Sequence, residues 1–99
     1  MNKYPNTVIT KEDIQKAMIS ASQMDSDTLE KTLYESADYV GILKNDDNAL
    51  ESFLTDGANK DKVVMHCTLC CIFKYKSDPN LVDKILDDYN YILKTLTTQ

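Results

Sequence analysis

The chain has 99 residues, of which 42% are hydrophobic and 27% are charged, so it is long enough for one small globular domain and too apolar for a disordered segment. Two glycines and two prolines are too few turn residues for a β-sandwich or barrel. The 16 acidic and 11 basic residues leave a net charge of -5, and every basic residue is a lysine, which disfavours nucleic-acid binding.

The N-terminal residues 1–9 are predicted to form an extended arm, with Pro5 near its middle. Thr10 then resembles a helix N-cap, because Asp13 follows three residues later as in a capping box. The apolar residues that follow have helical spacing and predict a first helix of about 14 residues, ending near Met24. They are Ile14, Ala17, Met18 and Ala21.

A second helix is predicted to begin in the run Asp25-Ser26-Asp27, where Glu30 occupies the third helical position if Asp27 is the cap. Its apolar stripe consists of Leu29, Leu33, Ala37 and Val40.

A short third helix is predicted after a break at Asn45-Asp46-Asp47, because Asn48 and Glu51 form another capping pair. Asp56-Gly57 is expected to end this helix, since glycine readily adopts the left-handed conformation found at helix C-termini.

Asn59 is placed to cap a fourth helix that runs from Lys60 to about Lys76. Residues 63–73 are apolar nearly all round, which is typical of the central helix of a bundle. The alternative is a β-strand, because the segment is rich in sheet-favouring residues, but its length favours a helix.

The last helix shows the clearest apolar periodicity and is predicted to begin at Asp78-Pro79, which fits N-cap and first-turn positions. Seven apolar residues share one face: Val82, Ile85, Leu86, Tyr89, Ile92, Leu93 and Leu96. The fold class is therefore predicted to be all-α, a compact antiparallel bundle of four to five helices. The bundle forms a single domain over residues 10–99, preceded by the arm 1–9.

The only histidine, His66, lies beside all three cysteines: Cys67, Cys70 and Cys71. A zinc site needs four ligands, and the chain has no further histidine or cysteine. Thiols on a central apolar helix also resist the deprotonation that metal binding and nucleophilic catalysis require. We therefore predict small buried side chains with no metal, no cofactor and no enzymatic activity.

Two tyrosines fall outside the apolar stripes and are flanked by carboxylates. Tyr91 follows Asp87 and Asp88 by one helical turn, and Tyr34 has Asp38 one turn away. Exposed tyrosines are enriched at binding hot spots, although they also cover neighbouring lysine stems on many proteins. These five residues are the predicted partner-binding residues.

The sequence therefore predicts a small acidic protein-binding module that inhibits, neutralises or chaperones a partner with a basic surface, as an inhibitor or immunity protein does. One alternative is a structural subunit, such as a homodimer, that associates through the helix 63–73. A third is a metal- or thiol-dependent enzyme that uses His66 with Cys67 and Cys70.

Clustered cysteines and the lack of a signal-like or membrane-spanning run predict a cytoplasmic protein with no membrane partner.

Overall fold

A computed structural model of the chain describes residues 3–98, and Met1, Asn2 and Gln99 lie outside the described residues. Within residues 3–98 there are five α-helices and no strand, which confirms the all-α prediction. The helices are α1 (Lys11–Ser22), α2 (Ser26–Asn45), α3 (Asp47–Asp56), α4 (Lys60–Tyr75) and α5 (Leu81–Thr97).

The capping box predicted at the start of α1 is present. The Thr10 side chain accepts a hydrogen bond from the Asp13 amide at 3.2 Å, and the Asp13 carboxylate accepts one from the Thr10 amide at 2.8 Å. These hydrogen bonds hold the pKa of Asp13 below its ordinary value. The helix ends at Ser22, two residues before the predicted end at Met24.

Helix α2 begins in the predicted run 25–27, whereas the cap predicted for α3 lies at the wrong residue. Asp25, rather than Asp27, caps α2 by accepting from the Thr28 amide at 2.8 Å. Asp46, rather than Asn48, caps α3 by accepting from the first amides of that helix. Each run offers several capping residues, and the direction in which the chain enters the helix selects among them.

Helix α4 begins at Lys60 as predicted, but without the predicted side-chain cap, and α5 begins later than predicted. Asn59 precedes α4 in the left-handed conformation, with φ 57°, and its side chain makes no capping hydrogen bond. At α5 the helix begins at Leu81, with Asn80 before it, rather than at Asp78-Pro79. Asp78 instead accepts hydrogen bonds from the Asn80 amide and from Lys84, so it organises the turn that precedes the helix.

The N-terminal segment is not an extended arm throughout, because Pro5–Thr7 form a short 3-10 helix that packs on α3. Thr7 is buried, and its carbonyl accepts a 2.6 Å hydrogen bond from the Tyr89 hydroxyl in the core. Gly57 ends α3 at φ 69°, where a Cβ would lie 2.5 Å from the Asn6 carbonyl oxygen. Glycine is therefore required for the segment to approach so closely.

Helix α4 lies at the centre of the bundle and packs against α1, α2 and α5. Its side chains Val63, Val64, Cys67, Leu69 and Cys71 are buried, as the all-round apolar pattern predicts. Lys84, early in α5, lies over the Tyr75 ring at the end of α4. Farther along α5, Asp88 raises the pKa of Cys67, which lies earlier on α4, so the two helices run antiparallel. The radius of gyration is 13.1 Å, close to the roughly 13 Å of a compact domain this size.

None of the helices described within residues 3–98 combines the length and hydropathy that a membrane span requires.

Candidate functional site

A groove of about 440 Å³ runs between α4 and α5 on the surface of the bundle. This volume is within the range of about 300–1,000 Å³ that is typical of small-ligand pockets. We call it the α4–α5 groove. Its lining residues are His66, Cys70, Cys71, Lys74 and Tyr75 of α4, and Lys84, Asp87, Asp88, Tyr91 and Ile92 of α5.

Three of the predicted partner-binding residues, Asp87, Asp88 and Tyr91, line this groove. They follow Lys84 along α5 by one to two helical turns, and we call this part of the groove the acidic end. Their position follows from the helical period, because Tyr89 is fully buried and therefore turns its neighbours on α5 outward. The Tyr91 side chain is 69% exposed, Asp87 is exposed and Asp88 is half-buried. An aromatic ring and two carboxylates thus share an accessible surface.

The other end of the groove, the lysine end, contains Lys74, Lys84 and Tyr75. The Lys84 ammonium donates a 2.6 Å hydrogen bond to the Asp78 carboxylate and lies 4.2 Å from the centre of the Tyr75 ring. Lys74 lies over the same ring at 5.2 Å. The bond to Asp78 raises the pKa of Lys84, and the same bond lowers the pKa of Asp78. The Lys84 ammonium is therefore fixed in place by Asp78 and the Tyr75 ring.

His66 connects the groove to α2. Its Nδ1 lies 3.4 Å from the Ser36 hydroxyl oxygen, and its Nε2 lies 3.7 Å from Cys70 Sγ. The Ser36 hydroxyl already donates its one hydrogen to the Leu33 carbonyl at 2.9 Å, so it can only accept from His66. This contact favours the tautomer in which neutral His66 carries its proton on Nδ1. Cys70 Sγ lies near both ring nitrogens, 3.9 Å from Nδ1 and 3.7 Å from Nε2.

The electrostatics keep these groups uncharged near neutral pH. Burial lowers the pKa of His66, and Asp88 opposes this only in part. Burial, reinforced by the negative charge of Asp88, raises the pKa of Cys70, and it raises that of Cys71 to about 11. The pKa of Cys67 is also raised, for the same two reasons. Protonated thiols are weak nucleophiles and weak metal ligands.

No three histidine, cysteine, aspartate or glutamate side chains in the described part of the chain converge in a way that would hold a metal ion.

The other two predicted residues lie on a different surface. Tyr34 is 63% exposed on α2 and, with Asp38, lines a shallow depression formed by α2 alone. Its remaining lining residues are Asp27, Glu30, Lys31 and Glu35, none of which lines the α4–α5 groove. The structure therefore divides the five residues into two separate acidic surfaces, the α2 face and the acidic end of the groove.

Sequence reasoning did not place His66, Cys70, Lys74, Tyr75 or Lys84 in a site with Asp88 and Tyr91. Helical spacing in the sequence shows which residues share a face of one helix. It does not show which faces of two helices form a groove, so it could not bring these residues together. Comparisons with protein-family models, curated proteins and solved structures find no match to this chain.

Proposed function

We propose that this chain is a small protein-binding module, without enzymatic activity, that binds a partner with a basic surface and controls it by covering that surface. The acidic end of the α4–α5 groove is the contact surface. The observation that carries the proposal is Tyr91, a largely exposed tyrosine beside two carboxylates at the edge of a groove. Inhibition, neutralisation and chaperoning all use a surface of this kind.

Charge and aromatic area have different roles in this proposal. The net charge of -5 attracts a basic partner over a distance and accelerates encounter. The Tyr91 ring loses its exposure on binding, and such a buried aromatic slows dissociation. Asp87 and Asp88 favour cationic groups and disfavour acidic ones, which contributes specificity.

The first test compares Tyr91→Ala with Tyr34→Ala, a matched substitution of a similarly exposed tyrosine on the α2 face. The wild-type chain is used to capture its partner from the native source at low salt, and the purified partner is then titrated with each variant. We expect Tyr91→Ala to weaken binding by about 30-fold, as for a hot spot of about 2 kcal/mol. Tyr34→Ala should bind as the wild type does.

Because both rings are exposed, both variants should keep the melting temperature of the wild type. If Tyr91→Ala binds normally and Tyr34→Ala does not, the α2 face is the contact surface and the assignment to the groove is wrong. If neither substitution weakens binding, the proposed function loses its structural basis.

The homo-oligomer remains a second candidate, supported by Phe73, which leaves 52% of its surface exposed at the end of the segment 63–73. Most of that segment is instead used in the core of the monomer. A melting temperature that rises with protein concentration would favour this candidate. The thiol- or metal-dependent enzyme has less support, because the cysteine pKa values are raised.

A further inference from the structure

We propose that the acidic end of the α4–α5 groove receives a single lysine or arginine side chain of the partner, with its cation beside Asp87 and Asp88 and its stem against Tyr91. This inference rests on the proposed function and specifies the chemistry that the groove recognises. It follows from how the chain distributes its own cations around the groove.

Lys84 is the lysine that helical spacing would pair with the acidic end, because Asp87 and Asp88 follow it by three and four residues. The fold directs Lys84 elsewhere. Its ammonium is bound by Asp78 at 2.6 Å and lies over the Tyr75 ring at 4.2 Å. No ion pair within residues 3–98 joins a lysine to either Asp87 or Asp88. Neither carboxylate therefore has a lysine partner among these residues. Asp87 is exposed, and Asp88 is half-buried beside the Cys67 thiol.

The neighbouring cationic groups of the groove are directed at other partners. Burial lowers the pKa of His66, so its imidazole is neutral near neutral pH. Lys74 lies over the Tyr75 ring at the lysine end. The acidic end therefore combines two carboxylates with an exposed ring, and a ring face attracts both a cation and the apolar stem that carries it.

A protein side chain fits this site better than a metal ion. Divalent cations such as Ca²⁺ require several convergent oxygen ligands, and no group of three such ligands is found among residues 3–98. The groove is also partly apolar, with Ile92 and Tyr91 in its lining, which a metal ion would not use. A lysine or arginine stem would.

The test is an NMR titration of the isotopically labelled full chain with Nα-acetyl-lysine methylamide and Nα-acetyl-arginine methylamide, to tens of millimolar at low ionic strength. Nα-acetyl-norleucine methylamide, which has an apolar stem and no charge, is the matched probe. We expect both cationic probes to shift resonances of Asp87, Asp88 and Tyr91 in a saturable way. The norleucine probe should bind at least about tenfold more weakly, as expected when about 1.4 kcal/mol of charge interaction is lost.

The double variant Asp87→Asn/Asp88→Asn should lose the response. Glu51→Gln on α3, an exposed carboxylate outside the groove, removes a negative charge elsewhere and should keep it. The probe that binds with the higher affinity, lysine or arginine, indicates which of the two residues the partner inserts. Either result supports the proposal. Equal binding of norleucine, or shifts spread evenly over the acidic surface, would overturn it.

Two other occupants are separate outcomes that would also overturn the proposal. If calcium chloride shifts the same resonances and the shift saturates at a lower concentration than with the lysine probe, the groove is a metal site. Groove resonances that move on dilution, without any probe, would identify a second copy of the chain. If the cationic probes fail while Tyr91→Ala still weakens partner binding, this inference is wrong and the proposed function stands. If the probes bind but Tyr91→Ala leaves partner binding unchanged, the proposed function fails at this surface.

Discussion

The hydrogen bond from the Tyr89 hydroxyl to the Thr7 carbonyl should contribute measurably to stability. The substitution Tyr89→Phe tests this, because it deletes only the hydroxyl group. Donor and acceptor lie 2.6 Å apart, 82 positions apart in sequence, in residues that are 0% and 1% exposed. The ring of phenylalanine keeps the packing, so the main change is a buried carbonyl left without its donor. Such a loss costs about 1–3 kcal/mol.

Thermal and urea unfolding measure this directly. Because about 1 kcal/mol shifts the melting temperature of a domain this size by roughly 4–8 °C, the expected fall is roughly 4–24 °C. Tyr34→Phe is the control, because it removes a hydroxyl from a ring that is 63% exposed and should change little. A Tyr89→Phe variant within about 0.5 kcal/mol of wild type would refute the argument that this bond fastens the N-terminal segment to α5.

Two further predictions concern the backbone and the pH dependence of stability. Gly57→Ala should destabilise the chain by about 2 kcal/mol or more, since it combines a φ of 69° with a Cβ placed 2.5 Å from a backbone oxygen. Gly41→Ala in α2, where a Cβ meets no atom within 4 Å, should instead stabilise it by about 0.5–1 kcal/mol in the same urea experiment; a similar change in both would contradict this. Burial lowers the pKa of His66 in the folded state below 6.5. As the pH falls through 6.5, the unfolded chain therefore binds a proton before the folded chain does, and the free energy of unfolding declines. Above that pH, His66 does not change the stability. His66→Gln should flatten the stability curve between about pH 7 and pH 5, and a slope that persists would assign the effect to other groups.

The existence and order of the helices could be predicted because the responsible interactions are local. The Thr10–Asp13 capping box joins residues three positions apart, and apolar residues recur on one face of α5 every three or four positions. The caps of α2 and α3 could not be resolved in the same way. Asp25 and Asp46 compete with nearby polar residues, and the approach of the chain to each helix decides between them.

The candidate site was only partly predictable for a different reason. The outward position of Tyr91 beside Asp87 and Asp88 is a property of one helix, and the sequence alone indicates it. Whether Tyr91 and Tyr34 share a surface depends on how α2, α4 and α5 are arranged. The observed arrangement places the two tyrosines on separate surfaces. Periodicity along a single helix carries no information on that arrangement.

The sequence by itself determined an acidic, all-helical chain with an apolar central helix, since composition and local spacing are sufficient for these properties. Only the tertiary structure decided that Lys84 binds Asp78 and leaves Asp87 and Asp88 without a lysine. It also placed His66 where it contacts Ser36 across the interface between α4 and α2. The physical reason differs for the two contacts. The bond between Lys84 and Asp78 depends on the path of the turn that precedes α5, and the contact between His66 and Ser36 forms only when the buried faces of α2 and α4 pack together.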